Sequence, residues 1–242
     1  MSRSRWLFSA PIDLAVFGGT ALVALALVAL APALGASLGT SPEAPGGAPE
    51  WSWIAGVLLV DVAHVWSTSF VVYLDPAEWK RRPGLYAGTP LAVFAAALAL
   101  YAWGEGPFWR AIAYLAVFHF IRQQYGWVMM YRAKNAERDR LGRWLDGATI
   151  YAATGYPLVW WHAHLPRGFA WMRDGDFVSG LPGWTVELAR VIYLGLLASY
   201  VARGAWQLVR GQSVSWGKHL IVATTVACWY VGIVATDSST AG

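Results

Sequence analysis

Two short stretches of otherwise apolar sequence carry the residues whose types and spacing suit chemistry. Asp61 and His64 are three residues apart in LLVDVAHVWSTSF, and His119, Arg122 and Gln123 lie within FHFIRQQYGW. A helix turns by about 100° per residue, so residues three and four apart share one face. Each stretch therefore predicts a polar stripe along an apolar helix.

The surrounding sequence indicates that these helices cross a membrane. Hydrophobic residues make up 57% of the 242 residues and charged residues 13%, against about 25% charged residues in soluble domains. The apolar residues form blocks close to the roughly 20 residues that a spanning helix needs. We predict an all-α, polytopic transmembrane helix bundle of seven spans, of which the third is the shortest. The predicted spans are Pro11–Ala36, Trp53–Leu74, Pro90–Trp103, Phe108–Tyr131, Trp144–Trp161, Val186–Val209 and Trp216–Thr236.

The basic residues predict the orientation of this bundle. They concentrate at the N-terminus and in alternate loops, and cytoplasmic loops are the ones enriched in Lys and Arg. We therefore predict a cytoplasmic N-terminus and a multi-pass protein of a bacterial-type inner membrane. The net charge of +4 reflects this topology, and no nucleic acid partner is expected. The basic positions are Arg3, Arg5, Lys80, Arg81, Arg82, Arg132, Lys134, Arg138, Arg140, Arg143, Arg203, Arg210 and Lys218.

The chain reads as a single integral membrane domain over residues 1–242. Its last residues, DSSTAG, follow a predicted span directly, which is the pattern of a fragment that lacks a further helix. The first apolar run also resembles a signal peptide but is longer than one. Cys228 is the single cysteine, so no internal disulfide is expected.

The two polar stripes are predicted to meet. Trp53–Leu74 and Phe108–Tyr131 both run from outside to inside, which puts Asp61 and His64 near the depth of His119. Ionisable side chains at that depth are costly and normally face the bundle interior with a partner. The simplest way to bury both stripes is to turn the second and fourth spans toward each other.

Such a site predicts metal chemistry. Two histidines and one carboxylate are the ligand set of non-haem Fe(II) oxygenases, which assigns His64, His119 and Asp61 as metal ligands. Arg122 and Gln123 would support catalysis by orienting the ligands or by holding an anionic group or bound oxygen. D-x-x-H also parallels the E-x-x-H pairs of di-iron bundles. The expected activity is metal-dependent oxidation of a lipophilic small molecule taken from the lipid bilayer.

Three alternatives use the same residues. Asp61 and Arg122 would form a buried ion pair in a structural subunit, or the stripes would line the midplane site of a proton-coupled transporter. His64 and His119 would otherwise ligate haem b from both sides, with Arg122 at a propionate. Haem ranks below non-haem iron, because histidines at that depth would bury the propionates.

D-x-x-H and His119 in a chain of several spans resemble, in layout, the bacterial carotene-cleaving dioxygenases of the Brp/Blh type. That resemblance implies iron held by histidines of separate spans and a lipophilic substrate. The family's local motifs do not occur here. The stretch H-F-x-R-Q-Q-Y-G is also similar to uncharacterised bacterial membrane proteins, which implies no activity.

The remaining polar residues at helix ends are predicted to have structural or interfacial roles. Asp146 is expected to pair with Arg143 or to complement its helix N-terminus. His219, beside Lys218 at the cytoplasmic end of the seventh span, is expected to reach lipid headgroups. His162, at the other end of the fifth span, is expected at the membrane interface.

Overall fold

The computed structural model describes residues 6–34, 51, 53–166 and 173–236. In this part of the chain every regular element is helical and no strand occurs, so the all-α prediction is confirmed. The last six residues, on which the prediction of a truncated C-terminus depends, lie outside the described residues. In chain order the helices are α1 (Ala10–Leu30), α2 (residues 53–73), α3 (Pro76–Arg81), α4 (Pro83–Trp103), α5 (Glu105–Lys134), α6 (Arg140–His164), α7 (Gly183–Val209) and α8 (Trp216–Ala235).

Four of these helices are long and apolar enough to span a membrane, namely α1, α4, α7 and α8. This supports an integral membrane protein in contact with lipid, although it does not reach the seven predicted spans. Helices α5 and α6, with 30 and 25 residues, are also long enough, but they are less apolar. The third predicted span begins at Pro83 instead of Pro90, because a proline is tolerated at a helix start.

The described chain groups into two compact units. The larger unit comprises Met1–Leu30, Tyr114–Arg167 and Phe177–Gly242, and the smaller comprises Ala31–Ala113 and Gly168–Asp176. The single-domain prediction for residues 1–242 stays a prediction.

In the smaller unit a capped turn connects α2 to α4. Asp75 accepts a hydrogen bond from the amide of Ala77 at 2.8 Å and so begins α3. The ring of Trp79 stacks on Tyr86 of α4, and the hydroxyl of Tyr86 donates to Glu78. Helix α4 buries none of its residues within this unit, as expected of a helix that faces lipid.

The core of the larger unit lies where α5, α6, α7 and α8 pack together. Its buried members include Val128, Leu145, Ile150, Tyr200 and Ile221. Farther along the same helices, Tyr156 of α6 stacks on Tyr193 of α7 with ring centroids 4.9 Å apart. Aromatic pairs of this kind stabilise by about 0.5–1.5 kcal/mol beyond the area that they bury.

The start of α1 is fastened to α5 through one carboxylate. Asp13 is fully buried, and its Oδ2 accepts from the amide of Leu7 at 2.7 Å and from the hydroxyl of Tyr131 at 2.5 Å. Its Oδ1 accepts from the amide of Phe8 at 3.2 Å. The segment before α1 therefore folds back over the first turn of the helix, with the amides of Leu7 and Phe8 hydrogen-bonded to Asp13.

The opposite end of the larger unit is fastened through His162, which is buried and not at an exposed interface. Its Nδ1 lies 2.6 Å from the carbonyl of Leu158, so Nδ1 carries the proton and Nε2 accepts from the hydroxyl of Tyr114 at 2.5 Å. The amide of Val178 donates to the same hydroxyl at 3.1 Å. These bonds attach the chain before α7 to α5 and α6.

Candidate functional site

Four charged side chains converge where α5, α6 and α8 meet in the larger unit. Arg132 lies in the last turn of α5, Glu137 in the connection to α6, Asp146 in the second turn of α6 and Lys218 in the first turn of α8. The connection is short, and Ala136 takes a φ of 55° to reverse the chain. The reversal allows Glu137 to face back toward the helices that flank it.

These four residues form what we call the charge ring, in which cations and carboxylates alternate. Oδ2 of Asp146 accepts from Arg132 at 2.5 Å and from Lys218 at 3.1 Å. Oε2 of Glu137 accepts from the same cations, at 3.1 Å from Arg132 and 2.5 Å from Lys218. The four formal charges sum to zero, which suits a site without water because a buried charge needs a partner.

The charge ring is deeply buried. The side chains of Asp146 and Lys218 are 1% exposed and that of Arg132 is 4% exposed. Charges removed from water to this degree are tolerated only when paired and hydrogen-bonded. Removing one member would therefore leave an uncompensated buried charge.

One face of the ring is incompletely satisfied. Both cations contact Oδ2 of Asp146, while its Oδ1 and Oγ1 of Thr149 have no protein hydrogen-bond partner among the described residues. Asp146 and Thr149 are three residues apart, so they are neighbours on one face of α6. Buried polar atoms without partners are rare in folded proteins. Asp146 is thus the member of the ring with capacity for a further hydrogen bond.

Asp139 extends the network to α7. Its Oδ2 accepts from the amide of Gly142 at 2.8 Å, which caps α6, and from the guanidinium of Arg203 at 2.7 Å. Oδ1 accepts from Arg132 at 3.2 Å. Burial alone would raise the pKa of Asp139, but the Gly142 amide and the two guanidinium groups outweigh it and lower that pKa below its ordinary value.

The lowered pKa of Asp139 predicts an acid dependence of stability. A carboxylate whose folded pKa is depressed stabilises the fold above its unfolded pKa, and this contribution is lost as pH falls through the folded pKa. Asp139→Asn keeps the capping oxygen and removes the charge. We expect wild type to lose more stability than this variant between about pH 5 and about pH 3. Parallel denaturation curves for the two proteins over that range would contradict the assignment.

His219 lies beside the ring, next to Lys218 in α8. Its Nδ1 is 2.7 Å from the hydroxyl of Tyr200 in α7, and the two rings meet edge to face. A side chain added at Gly204 would contact the same imidazole at 3.5 Å. His219 is therefore packed between α7 and α8, which differs from the predicted reach toward lipid headgroups.

A cavity of about 260 Å³, open on one side, lies between α1, α5 and α8 of the larger unit. Gln124 of α5 and Thr225 of α8 are among its lining residues. On α8, Lys218, Ile221 and Thr225 are spaced by three and four residues and so share a face. Seven residues of helix span about 10 Å, so the charge ring and the cavity are neighbours along that face.

The residues predicted as a metal site are divided between the two units. His64 lies in α2 of the smaller unit, and His119, Arg122 and Gln123 lie in the part of α5 that belongs to the larger unit. Asp61 lies in the helical segment Trp53–Val62, and its side chain is outside the described residues. The prediction that the two stripes face each other stays a prediction.

The predicted support residues lie on the outer side of the larger unit. Arg122 is exposed, donates to the hydroxyl of Tyr151 at 3.2 Å and lies over the ring of Tyr125. Gln123 is half-buried, and His119 is exposed and packs edge to face with Phe120. Among the described residues no group of three or more His, Cys, Asp and Glu side chains is close enough to hold a metal ion.

Sequence reasoning missed the charge ring. Asp146 pairs with Arg132 and Lys218, not with Arg143 as predicted, and Lys218 is buried in ion pairs. A signal was present in the sequence. Asp146 and Lys218 both lie close to apolar helical runs, where an ionisable residue normally has a partner. The partners were not readable because they are 14 and 72 residues apart.

No protein-family model, curated protein or solved structure matches this chain. The fold and the site therefore define its class by themselves. In its described residues the chain is all-helical, with four helices apolar enough to span a membrane, as in an integral membrane protein, and with a buried network of Asp, Arg and Lys side chains beside a histidine.

Proposed function

We propose that this protein is a proton-coupled membrane carrier, and that Asp146 is its proton-coupling residue. The observation that carries the proposal is the buried charge ring, which joins α5, α6 and α8 through two carboxylate oxygens. Ionisable residues buried among membrane helices mark proton relays and substrate pathways by default.

Protonation of Asp146 supplies a physical means of coupling. With Asp146 charged, the ring is neutral and its helices are held together. A proton on Asp146 removes one of the two carboxylates of the ring, so that Lys218 keeps only Glu137 as a charged partner within the ring and Arg132 keeps Glu137 and Asp139. Buried cations are disfavoured when they lose a counter-charge. The ring is thereby biased to open when it is protonated.

The position of the ring supports the same function. It lies about 10 Å along α8 from the cavity between α1, α5 and α8. Helix movements that open the ring therefore act on the helices that line the cavity. A carrier needs this connection, because protonation must change access to the bound solute.

We also propose the finer topology of seven spans in a bacterial inner membrane, with a cytoplasmic N-terminus. Support comes from three further helices, α2, α5 and α6, in addition to the four that are apolar enough by themselves. The alternation of basic loops supports the orientation. In this topology the charge ring lies at the cytoplasmic ends of its helices.

The test is hydrogen exchange of the protein in nanodiscs at about pH 8 and about pH 5.5, corrected for the intrinsic pH effect. In wild type we expect residues 135–146 and the start of α8 to lose protection at the lower pH. Asp146→Asn, which mimics the protonated carboxyl, should already be unprotected there at the higher pH. The matched control is Glu187→Gln, which removes an exposed ion pair with Arg190.

If wild type is equally protected from hydrogen exchange at both pH values, the coupling role is overturned. The charge ring would then have a structural role. Wild type itself carries the pH comparison, so the test does not depend on how well Asp146→Asn folds. A pH response that persists unchanged in folded Asp146→Asn would assign the proton to another group.

The metal-site hypothesis stays a separate prediction. If His64, His119 and Asp61 hold non-haem iron, purified His64→Ala and His119→Ala should each lose stoichiometric iron relative to wild type. A Soret band in the wild-type spectrum would instead indicate haem b. Iron retained at the wild-type stoichiometry in both variants would show that the ligand assignment is wrong.

A further inference from the structure

The cavity between α1, α5 and α8 has walls of mixed character. Phe17 of α1 and Trp229 and Ile221 of α8 supply apolar surface. Thr20, Gln124, Thr224 and Thr225 supply polar atoms, and none of its described lining residues is charged. A cavity without charge in a membrane bundle selects an uncharged ligand, because an ion would be desolvated there without a partner.

The hydroxyl groups of this cavity act as hydrogen-bond acceptors. Thr20 donates its hydroxyl hydrogen to the carbonyl of Val16 at 2.6 Å. On α8, Thr224 donates to the carbonyl of Leu220 at 2.9 Å and Thr225 to that of Ile221 at 2.7 Å. Each hydroxyl oxygen keeps lone pairs for a donor from outside its own helix.

Gln124 adds a further acceptor at the same place. Its Oε1 lies 3.4 Å from Oγ1 of Thr225, and an amide oxygen accepts two hydrogen bonds. The amide group of Gln124 is the one remaining donor among these polar lining groups, and acceptors outnumber it, so a ligand is favoured when it brings a donor of its own. The volume, about 260 Å³, is below the roughly 300–1,000 Å³ of most ligand pockets and restricts the ligand to a small molecule.

We propose that this cavity is a binding site for a small, uncharged amphiphile of the alcohol or phenol class. The hydroxyl of the ligand donates to Thr225 or Gln124, and its apolar body packs against Phe17 and Trp229. As the substrate site of a carrier this inference rests on the function proposed above. Binding is measured without transport, however, so the two proposals fail separately.

Cys228 makes the test specific to this site. It lines the cavity and is the single cysteine of the chain, so alkylation by N-ethylmaleimide adds one mass increment at one known place. The probe is 1-octanol, and its control is heptyl methyl ether, which has the same atoms but no donor. We expect 1-octanol to slow alkylation of the purified protein several-fold and saturably, whereas the ether leaves the rate within about twofold of the untreated value.

Variants test whether the slower alkylation depends on the polar atoms of the cavity. Thr225→Val keeps the side-chain shape and removes an acceptor, and Gln124→Leu removes another, so each should reduce the difference between alcohol and ether and the double variant should abolish it. The matched control is Ser199→Ala, which removes a hydroxyl that donates to Gly195 on the exposed surface of α7. That control should keep the difference.

A second measurement, of Tm, serves if the thiol of Cys228 reacts too slowly for the alkylation assay. A ligand that binds the folded state raises its Tm, so 1-octanol should raise the Tm of wild type relative to the ether. Equal effects of the two compounds in both measurements would overturn the site. A selective effect that survives undiminished in the folded double variant Thr225→Val with Gln124→Leu would also overturn it. Loss of selectivity with the pH response of α8 intact would leave the proposed coupling role in place.

Discussion

Asp146→Asn is expected to destabilise the larger unit by about 3–5 kcal/mol, the range found when one partner of a buried ion pair is removed. The reason is the balance of the charge ring. Arg132 and Lys218 would remain buried with Glu137 as their one full counter-charge within the ring. Lys218→Met should cost a similar amount, because it leaves two buried carboxylates facing one cation.

The double variant Asp146→Asn with Lys218→Met tests whether the charged residues act together as a ring or through independent contacts. Removing one charge of each sign leaves Arg132 paired with Glu137, so the double variant should cost less than the sum of the single variants. We expect a coupling energy of about 1–3 kcal/mol, at the upper end for residues in one network. The measurement is denaturation in detergent followed by tryptophan fluorescence.

The control for this cycle is Glu187→Gln, which breaks an ion pair whose two side chains are more than half exposed. Such pairs contribute little to stability, so its denaturation curve should overlay that of wild type. Strictly additive effects of Asp146→Asn and Lys218→Met would contradict the ring and would mean that each residue acts through other partners.

Gly217→Ala is expected to cost about 3 kcal/mol or more, the second large effect. A Cβ at residue 217 would lie within the ring of Tyr131, which is fully buried. Overpacking of this kind costs about 1–3 kcal/mol. Displacing the ring also breaks the bond from its hydroxyl to buried Asp13, and an unsatisfied buried group costs about 1–3 kcal/mol more.

The matched control is Gly232→Ala, in the same helix. A Cβ there meets nothing within 4 Å, so the change should be neutral or should stabilise by up to about 1 kcal/mol through helix propensity. Adding Tyr131→Leu to Gly217→Ala should recover part of the loss by making room for the new methyl group. A Gly217→Ala protein as stable as wild type would show that α5 and α8 do not pack as closely as described.

Both effects depend on the same part of the molecule. Gly217 and Lys218 are adjacent at the start of α8, so the close approach permitted by the glycine also brings Nζ of Lys218 to 2.5 Å from Glu137. The start of α8 is therefore held by the packing of Gly217 against Tyr131 and by the ion pairs of Lys218. If the carrier proposal holds, this is the helix end that protonation of Asp146 releases.

The sequence by itself determined the class of the protein and the existence of its helices. Long apolar blocks with few charges predict membrane helices, since backbone groups in lipid must be satisfied within the helix. Helices α7 and α8 match their predicted spans within a few residues. Local periodicity also placed His119, Arg122 and Gln123 in one helix, as the structure has them.

Only the tertiary structure decided which ionisable residues are partners. Arg132 and Asp146 are 14 residues apart, and Lys218 and Glu137 are 81 apart. Helical periodicity relates residues within one helix, whereas these contacts depend on which helix faces meet. The contact between Thr225 and Gln124, which supply polar atoms to the cavity, joins residues 101 apart. It too depends on which helix faces meet. Burial by neighbouring helices makes Lys218 and Asp146, which lie at helix ends in the sequence, the most buried members of the charge ring.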